Sequence, residues 1–195
     1  MSHIRIKALG VYHPSHSLNN EDFIRHFDER GKDIRRFMEH MGRKHRYIID
    51  DPNENGLTMG IAAAQKALEQ AGMTGRDVDM IVFSTQVPES LFPMNALFVH
   101  QAIGARHDVA VMDSNANCAG MTVAVDQASR SMLSNPDVRT ALIIGSDYNS
   151  LISDPADEIT YANYGDAACA VILERTEEET GFIDSLYFTD PVKYR

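Results

Sequence analysis

The feature that most constrains the fold is a set of short runs that are apolar at every position. "MIVFS" (80–84) and "ALIIG" (141–145) lack the alternation of a half-exposed strand and are too short for a buried helix, so they read as strands covered on both faces. Segments of helical character lie between and around them. "GLTMGIAAAQKALEQAG" (56–72) is alanine-rich and stops at Gly72. "PMNALFVHQAIG" (93–104) carries Pro93 in its first turn and Gly104 past its end, and "CAGMTVAVDQASRSML" (118–133) follows the strand-like "DVAVMD" (108–113). "HIRIKAL" (3–9) and "DAACAVILE" (166–174) complete the strands, and "SLNNEDFIRHF" (17–27) is a helix capped by Asn19 or Asn20. Strand and helix in alternation predict right-handed crossovers and an α/β layer structure with a mainly parallel sheet. The acidic "ERTEEETG" (174–181) is expected to be a turn between strands.

Charge excludes some functions and suggests one surface. A formal charge of −10 with no long basic stripe argues against a nucleic-acid binder. Eight of the eighteen Lys and Arg nevertheless fall between Arg25 and Arg46, making that segment net +4 and the remainder −14. It reads either as a solvated helical face or as a docking edge for an anionic carrier or cofactor. No stretch approaches membrane-spanning length and the opening residues lack a signal-peptide pattern, so a cytoplasmic location is expected. Two cysteines, Cys118 and Cys169, support neither a disulfide framework nor a metal site, and no cofactor is implied.

Cys118 stands where an apolar strand meets a helical pattern. At such a junction unpaired backbone N–H groups and the positive end of the helix dipole converge, favouring the thiolate, which is the reactive form. Ala119 and Gly120 keep the first turn narrow, so a substrate carbonyl could approach the sulfur and the Cys118 N–H together. The alternative is a small buried core residue. Cys169, inside "AACAV", reads as packing.

Six segments carry a family resemblance. "GVYHPSHSLNNEDF", "GRKHRYI", "STQVPESLFP", "NANCAGM", "GSDYNSLISDPAD" and "YGDAACAVIL" stand in the order and spacing of ketoacyl-ACP synthase III and its relatives, the thiolase-fold condensing enzymes. The resemblance implies two similar halves, each a mainly parallel mixed five-stranded sheet flanked by helices, with one helix layer shared. Residues 1–195 would be the N-terminal half, with the C-terminal half absent from this chain. In such enzymes the cysteine matched by Cys118 takes an acyl group from a thioester on CoA or a carrier protein. A decarboxylating malonyl-ACP then supplies the carbon nucleophile. The family's assisting His and Asn come from the second half, and each of the eight histidines here is expected on the surface or in a loop.

The resemblance also implies substrate contacts and an assembly. Arg36 stands where acyl-CoA users have a Trp, His40 where they have a first Arg, and Glu158 where they have a second; an acid facing phosphate is unfavourable. These departures favour an acyl group delivered on a carrier protein. Phe92 matches a loop aromatic that reaches the partner subunit's acyl pocket in a homodimer or related heterodimer; otherwise it is an apolar anchor under its loop. Gly165 and Asp166 are retained, whereas Ala167 replaces a usual Gly and is expected to restrict the backbone. The helix after Cys118 has apolar residues at Met121, Val123, Ala124, Val125, Ala128, Met132 and Leu133, more than one stripe requires, as a helix covered from two sides would. Acyl transfer to an alcohol or amine, and a non-catalytic partner subunit, are the alternative functions.

Overall fold

A computed structural model describes residues 3–190. In chain order the elements are β1 (His3–Tyr12), β2 (Ser17–Asn19), α1 (Asn20–Asp28), α2 (Arg35–Met41), β3 (His45–Tyr47), α3 (Gly56–Ala71), β4 (Met80–Ser84), α4 (Asn95–Ala102), β5 (Ala110–Ser114), α5 (Gly120–Ser134), β6 (Thr140–Tyr148), α6 (Thr160–Asn163) and β7 (Asp166–Thr176). The main sheet has five strands in the order β1-β7-β6-β4-β5. β4 pairs in parallel with β5 and β6, while β7 is antiparallel to both β6 and β1. Four strands therefore share one direction and β7 opposes them, with two parallel and two antiparallel pairings: the mixed five-stranded sheet that the family resemblance implied.

The apolar runs are covered on both sides. Ile81, Phe83, Leu142 and Ile144 face a core built with Met59, Ala63 and Ala67 of α3 and Val99 of α4. The intervening Met80, Val82, Ala141 and Ile143 face Ala124, Ala128 and Met132 of α5. Successive residues thus serve opposite cores, and an apolar side chain is needed at each position. A third cluster, with Phe23, Phe27, Ile34, Met38 and Ala162 buried, joins α1, α2 and α6 into a cap. Arg46 is buried beside it, its guanidinium 4.6 Å from the Phe23 ring centre, and burial pulls its pKa down to about 10.

Several boundaries differ from the sequence reading for identifiable reasons. Asn19 is the α1 cap, its side chain and that of Asp22 exchanging hydrogen bonds with each other's backbone N–H. Pro93 lies outside α4: Met94 is the cap residue, and Asp113 of β5 takes the Asn95 and Ala96 N–H groups at 2.7 and 2.8 Å. α5 begins at Gly120, after a 3-10 turn over Asn117–Ala119. The acidic segment is not a turn between strands. Arg5 and Lys7 of β1 pair with Glu174, and Arg5 with Glu178, so these acids extend the contact of β1 with β7. The chain then leaves as an extended strap, and no strand follows among the described residues. Ala167 sits in the β7 ladder opposite Asp147 without a positive φ, so no glycine is needed there. No described helix is long and apolar enough to cross a membrane.

Close approach of α3 to β1 depends on one glycine. A Cβ at Gly10 of β1 would lie 2.1 Å from the Ala63 carbonyl oxygen and 2.5 Å from the Ala67 nitrogen. Both obstacles are backbone, so relief requires the whole helix to move. Gly10→Ala is expected to destabilise the chain by about 3 kcal/mol. Urea unfolding checks this, and an unchanged midpoint would refute the tight β1–α3 contact.

Candidate active site

The parallel strands deliver one end of the sheet as the site. β4 ends at Ser84 and β5 at Ser114, and the Thr85 N–H still reaches the Ser114 carbonyl at 3.1 Å. Beyond them the strands diverge, and Asp147 near the end of β6 organises the opening. Its Oδ1 accepts from the Gln86 N–H at 2.7 Å and the Thr85 hydroxyl at 3.2 Å. A half-buried carboxylate accepting from a backbone N–H and a hydroxyl this way fixes the β4–α4 loop while leaving the Gln86 side chain at a cleft.

Cys118 is on the other side of that cleft. Asn117 before it has φ +50°, the one positive φ among described non-glycine residues, and Asn tolerates this region better than most side chains. Its amide donates to Asn115 Oδ1 at 2.9 Å, Ala119 N–H to the Ala116 carbonyl at 3.1 Å, and Gly120 N–H to the Asn117 carbonyl. These bonds close the turn and leave the Cys118 N–H outside it. Gly120 is buried against the end of β4: a Cβ there would stand 2.3 Å from Ser84 Oγ. A tight turn pinned on one side to β4 thus lifts Cys118 into an exposed position. The reading of Cys118 as a buried core residue is excluded.

The cleft around the thiol has a volume of about 570 Å³ and is lined by Gln86, Ala116 to Ala119, and Phe188, Thr189 and Asp190 of the strap. No histidine lines it among the described residues. A neighbouring groove of about 450 Å³ runs between the 85–94 loop and the end of β5, with Leu91, Met94 and Met112 supplying apolar wall. Phe92 stands outside the fold at this groove's loop with 95% of its surface exposed, so it is not an anchor beneath the loop.

The remaining sequence-selected residues lie elsewhere. Arg36 and His40 are exposed on α2, one helical turn apart on the same face, and the structure does not bring them to Cys118. Glu158 is engaged by Lys32, whose ammonium also donates to the Ala156 carbonyl at 2.6 Å. This pair holds the Glu158 carboxyl below the usual carboxylate range. Glu158 is therefore a paired acid rather than a free one. His26, another basic-segment residue, stacks on Tyr161 and contacts the Pro155 carbonyl oxygen at 2.8 Å. Sequence reasoning missed Asp147 and the backbone of Asn117; the Asn before the cysteine was the available signal for the latter.

The two thiols are in contrasting settings. Cys169 is half-buried in β7, and burial pushes its pKa up. Iodoacetamide at pH 8 is expected to label Cys118 in the native chain and to reach Cys169 only after denaturation, as read by peptide mass spectrometry. Labelling of Cys169 first would contradict the assignment of the exposed thiol.

Comparisons with known proteins converge on one family. Residues 112–191 match the family model described as 3-oxoacyl-[acyl-carrier-protein (ACP)] synthase III. A beta-ketoacyl-[acyl-carrier-protein] synthase III of Coxiella burnetii is 32% identical over 186 residues, covering 95% of this chain and 57% of the relative. A beta-ketoacyl-[acyl-carrier-protein] synthase III 1 of Bacillus anthracis is 33% identical, over 92% of this chain and 56% of its own length. The crystal structure of 3-oxoacyl-[acyl-carrier-protein] synthase III from Aquifex aeolicus superposes with a TM-score of 0.80 at 29% identity, over 90% of this chain and 55% of that one. The priming beta-ketosynthase of the R1128 polyketide pathway shares the fold, with a TM-score of 0.82 at 24% identity. The chain spans about half the length of the curated relatives it matches. In sequence and in fold, this chain is similar to the 3-oxoacyl-[acyl-carrier-protein] synthase III enzymes, over about half of their length.

Proposed function

We propose that Cys118 accepts an acyl group from a thioester, as the first half of a decarboxylative condensation with a malonyl-carrier thioester. The observation that carries this reading is an exposed thiol on a left-handed turn at the end of a parallel strand, beside an open cleft. The sulfur, as thiolate, attacks the thioester carbonyl. A new C–S bond forms, the donor thiol leaves with the proton, and the Cys118 N–H stands where it can stabilise the oxyanion. Loss of CO2 from the malonyl group then gives an enolate carbon that attacks the acyl-enzyme carbonyl and expels the Cys118 thiolate. The enolate requires neutral donors, a His and an Asn, which we assign to a second half. Residues 1–195 are the N-terminal half in this reading, and the absence of histidine from the described lining of the Cys118 cleft is in keeping with it.

A carrier-protein donor is favoured over a CoA primer. Lys32 and Glu158 occupy each other, so neither is free to hold a nucleotide phosphate, and exposed Arg36, with the His40 ring one turn away, offers a cation and a hydrogen-bonding ring to an acidic carrier. We assign the chain to the cytoplasm; two cysteines not bonded to each other support that reading. The test is intact-mass spectrometry of the chain joined to its second half, after incubation with acyl groups on carrier protein and on CoA. One acyl mass is expected, faster from the carrier, and Cys118→Ala should abolish it with the fold intact. Acylation of Cys169 instead would overturn the assignment.

Assembly belongs to the same proposal. β5 is an edge strand with Met112 partly exposed, and the adjoining loop projects Leu91 and Phe92, 87% and 95% exposed. A homodimer or related heterodimer would pair these edges and bury the loop. Light scattering of the two-half protein at micromolar concentration should give a dimer mass, and Phe92→Asp should shift it toward monomer. A monomer for the unmodified protein would count against this assembly.

A further inference from the structure

The strap after β7 is held against α5 by a buried carboxylate that the proposed chemistry does not use. Asp126 lies in the middle of α5, its side chain only 7% exposed. It accepts three hydrogen bonds: from the Tyr187 hydroxyl to Oδ2 at 2.6 Å, from the Ser185 hydroxyl to Oδ1 at 2.7 Å, and from Arg130 Nε to Oδ1 at 2.9 Å. Arg130 also donates to Asp184 and Ser185, and its guanidinium lies 5.5 Å from the Phe182 ring centre. Tyr187, then Ser185, hold the Asp126 carboxyl below the usual carboxylate range, and Asp126 in turn pushes the Tyr187 hydroxyl up.

The course of the strap gives these contacts a purpose. It begins where Phe182 N–H reaches the Ile4 carbonyl at 2.8 Å, near Leu133 at the far end of α5. It ends with Phe188, Thr189 and Asp190 in the wall of the Cys118 cleft. Tyr187 and Ser185 are the last side chains shown bonded to α5 before that wall. Phe188 itself is 89% exposed, so its own packing does little to fix it. We propose that Asp126 is a positioning residue, which through Tyr187 and Ser185 sets the Phe188–Asp190 wall opposite Cys118 and thereby the width of the cleft available to the acyl donor.

The inference rests on the reading of Cys118 as acyl acceptor for its meaning, but its test does not need acylation. The experiment compares alkylation of Cys118 by small iodoacetamide and by bulky N-phenylmaleimide, in the same chain, with site occupancy read by peptide mass spectrometry. Tyr187→Phe removes one hydroxyl and is expected to raise the bulky-to-small rate ratio roughly three- to tenfold, while amide exchange quickens at 186–190 and stays unchanged in β4 and β6. Asp126→Asn should change the ratio in the same direction. The double variant should do little more than the stronger single one, because both act through one contact. If Asp126→Asn fails to fold, Tyr187→Phe and Ser185→Ala decide. An unchanged ratio in variants that keep their fold, or strictly additive effects, would overturn the positioning role. Failure of Cys118 to take an acyl group would instead remove the proposed function and leave the strap result standing.

Discussion

Two-sided burial of β4 and β6 is the constraint on which the rest depends. Because successive residues of these strands serve opposite cores, neither strand can slip by one position without exchanging its two faces. That fixes the register of β5 on one side and β7 on the other, and with it the level at which the strands end. Ser84, Ser114 and Asp147 are brought together by that register, and the loops that form the site start from them. The helices follow from the same requirement. α3 must lie low enough to cover both β1 and β7, which is why it presents alanines where it approaches Gly10.

Reactivity is concentrated where regular structure gives out. The turn that carries Cys118 uses a residue with positive φ, and α5 does not begin until Gly120 packs on Ser84. Rigid strands on one side and a rigid helix on the other hold a short non-helical turn between them. The thiol is therefore exposed on a turn held at both ends. The neighbouring loop is fixed in a related way, with Asp113 at the start of α4 and Asp147 at Gln86. Asp113 and Asp147 thus act as backbone clamps around the cleft.

What was legible in the sequence had a local signature. Uninterrupted apolar runs marked β4 and β6, and Gly72 marked the end of α3 with φ +66°. The position of Cys118 at a strand-to-helix junction was also legible; the 3-10 turn that displaces the helix start was not, since it depends on contact with Ser84. β2 and β3, three residues each, are too short for any periodicity. α2 is short and arginine-rich, and it exists because Met38 and Ile34 join Phe23 and Phe27 in a cluster built from distant segments. In the sequence Asp126 is one polar position among others on a helix. Its partners Ser185 and Tyr187 are 59 and 61 residues away, a pairing no local pattern encodes. Glu158 was similarly readable as an acid but not as the partner of Lys32.

The free side of β5 has a consequence for handling the chain. Its five residues, "AVMDS", bond to β4 on one side only, and no lysine or proline interrupts them. An edge of this kind is a template for any extended segment that meets it. At the opposite margin, β1 carries Arg5 and Lys7, whose charges discourage such pairing. Colloidal behaviour should therefore be lopsided. Concentrated solutions of chains whose β5 margin is uncovered would thicken through it, and the dimer pairing proposed for that edge would lengthen shelf life by covering it.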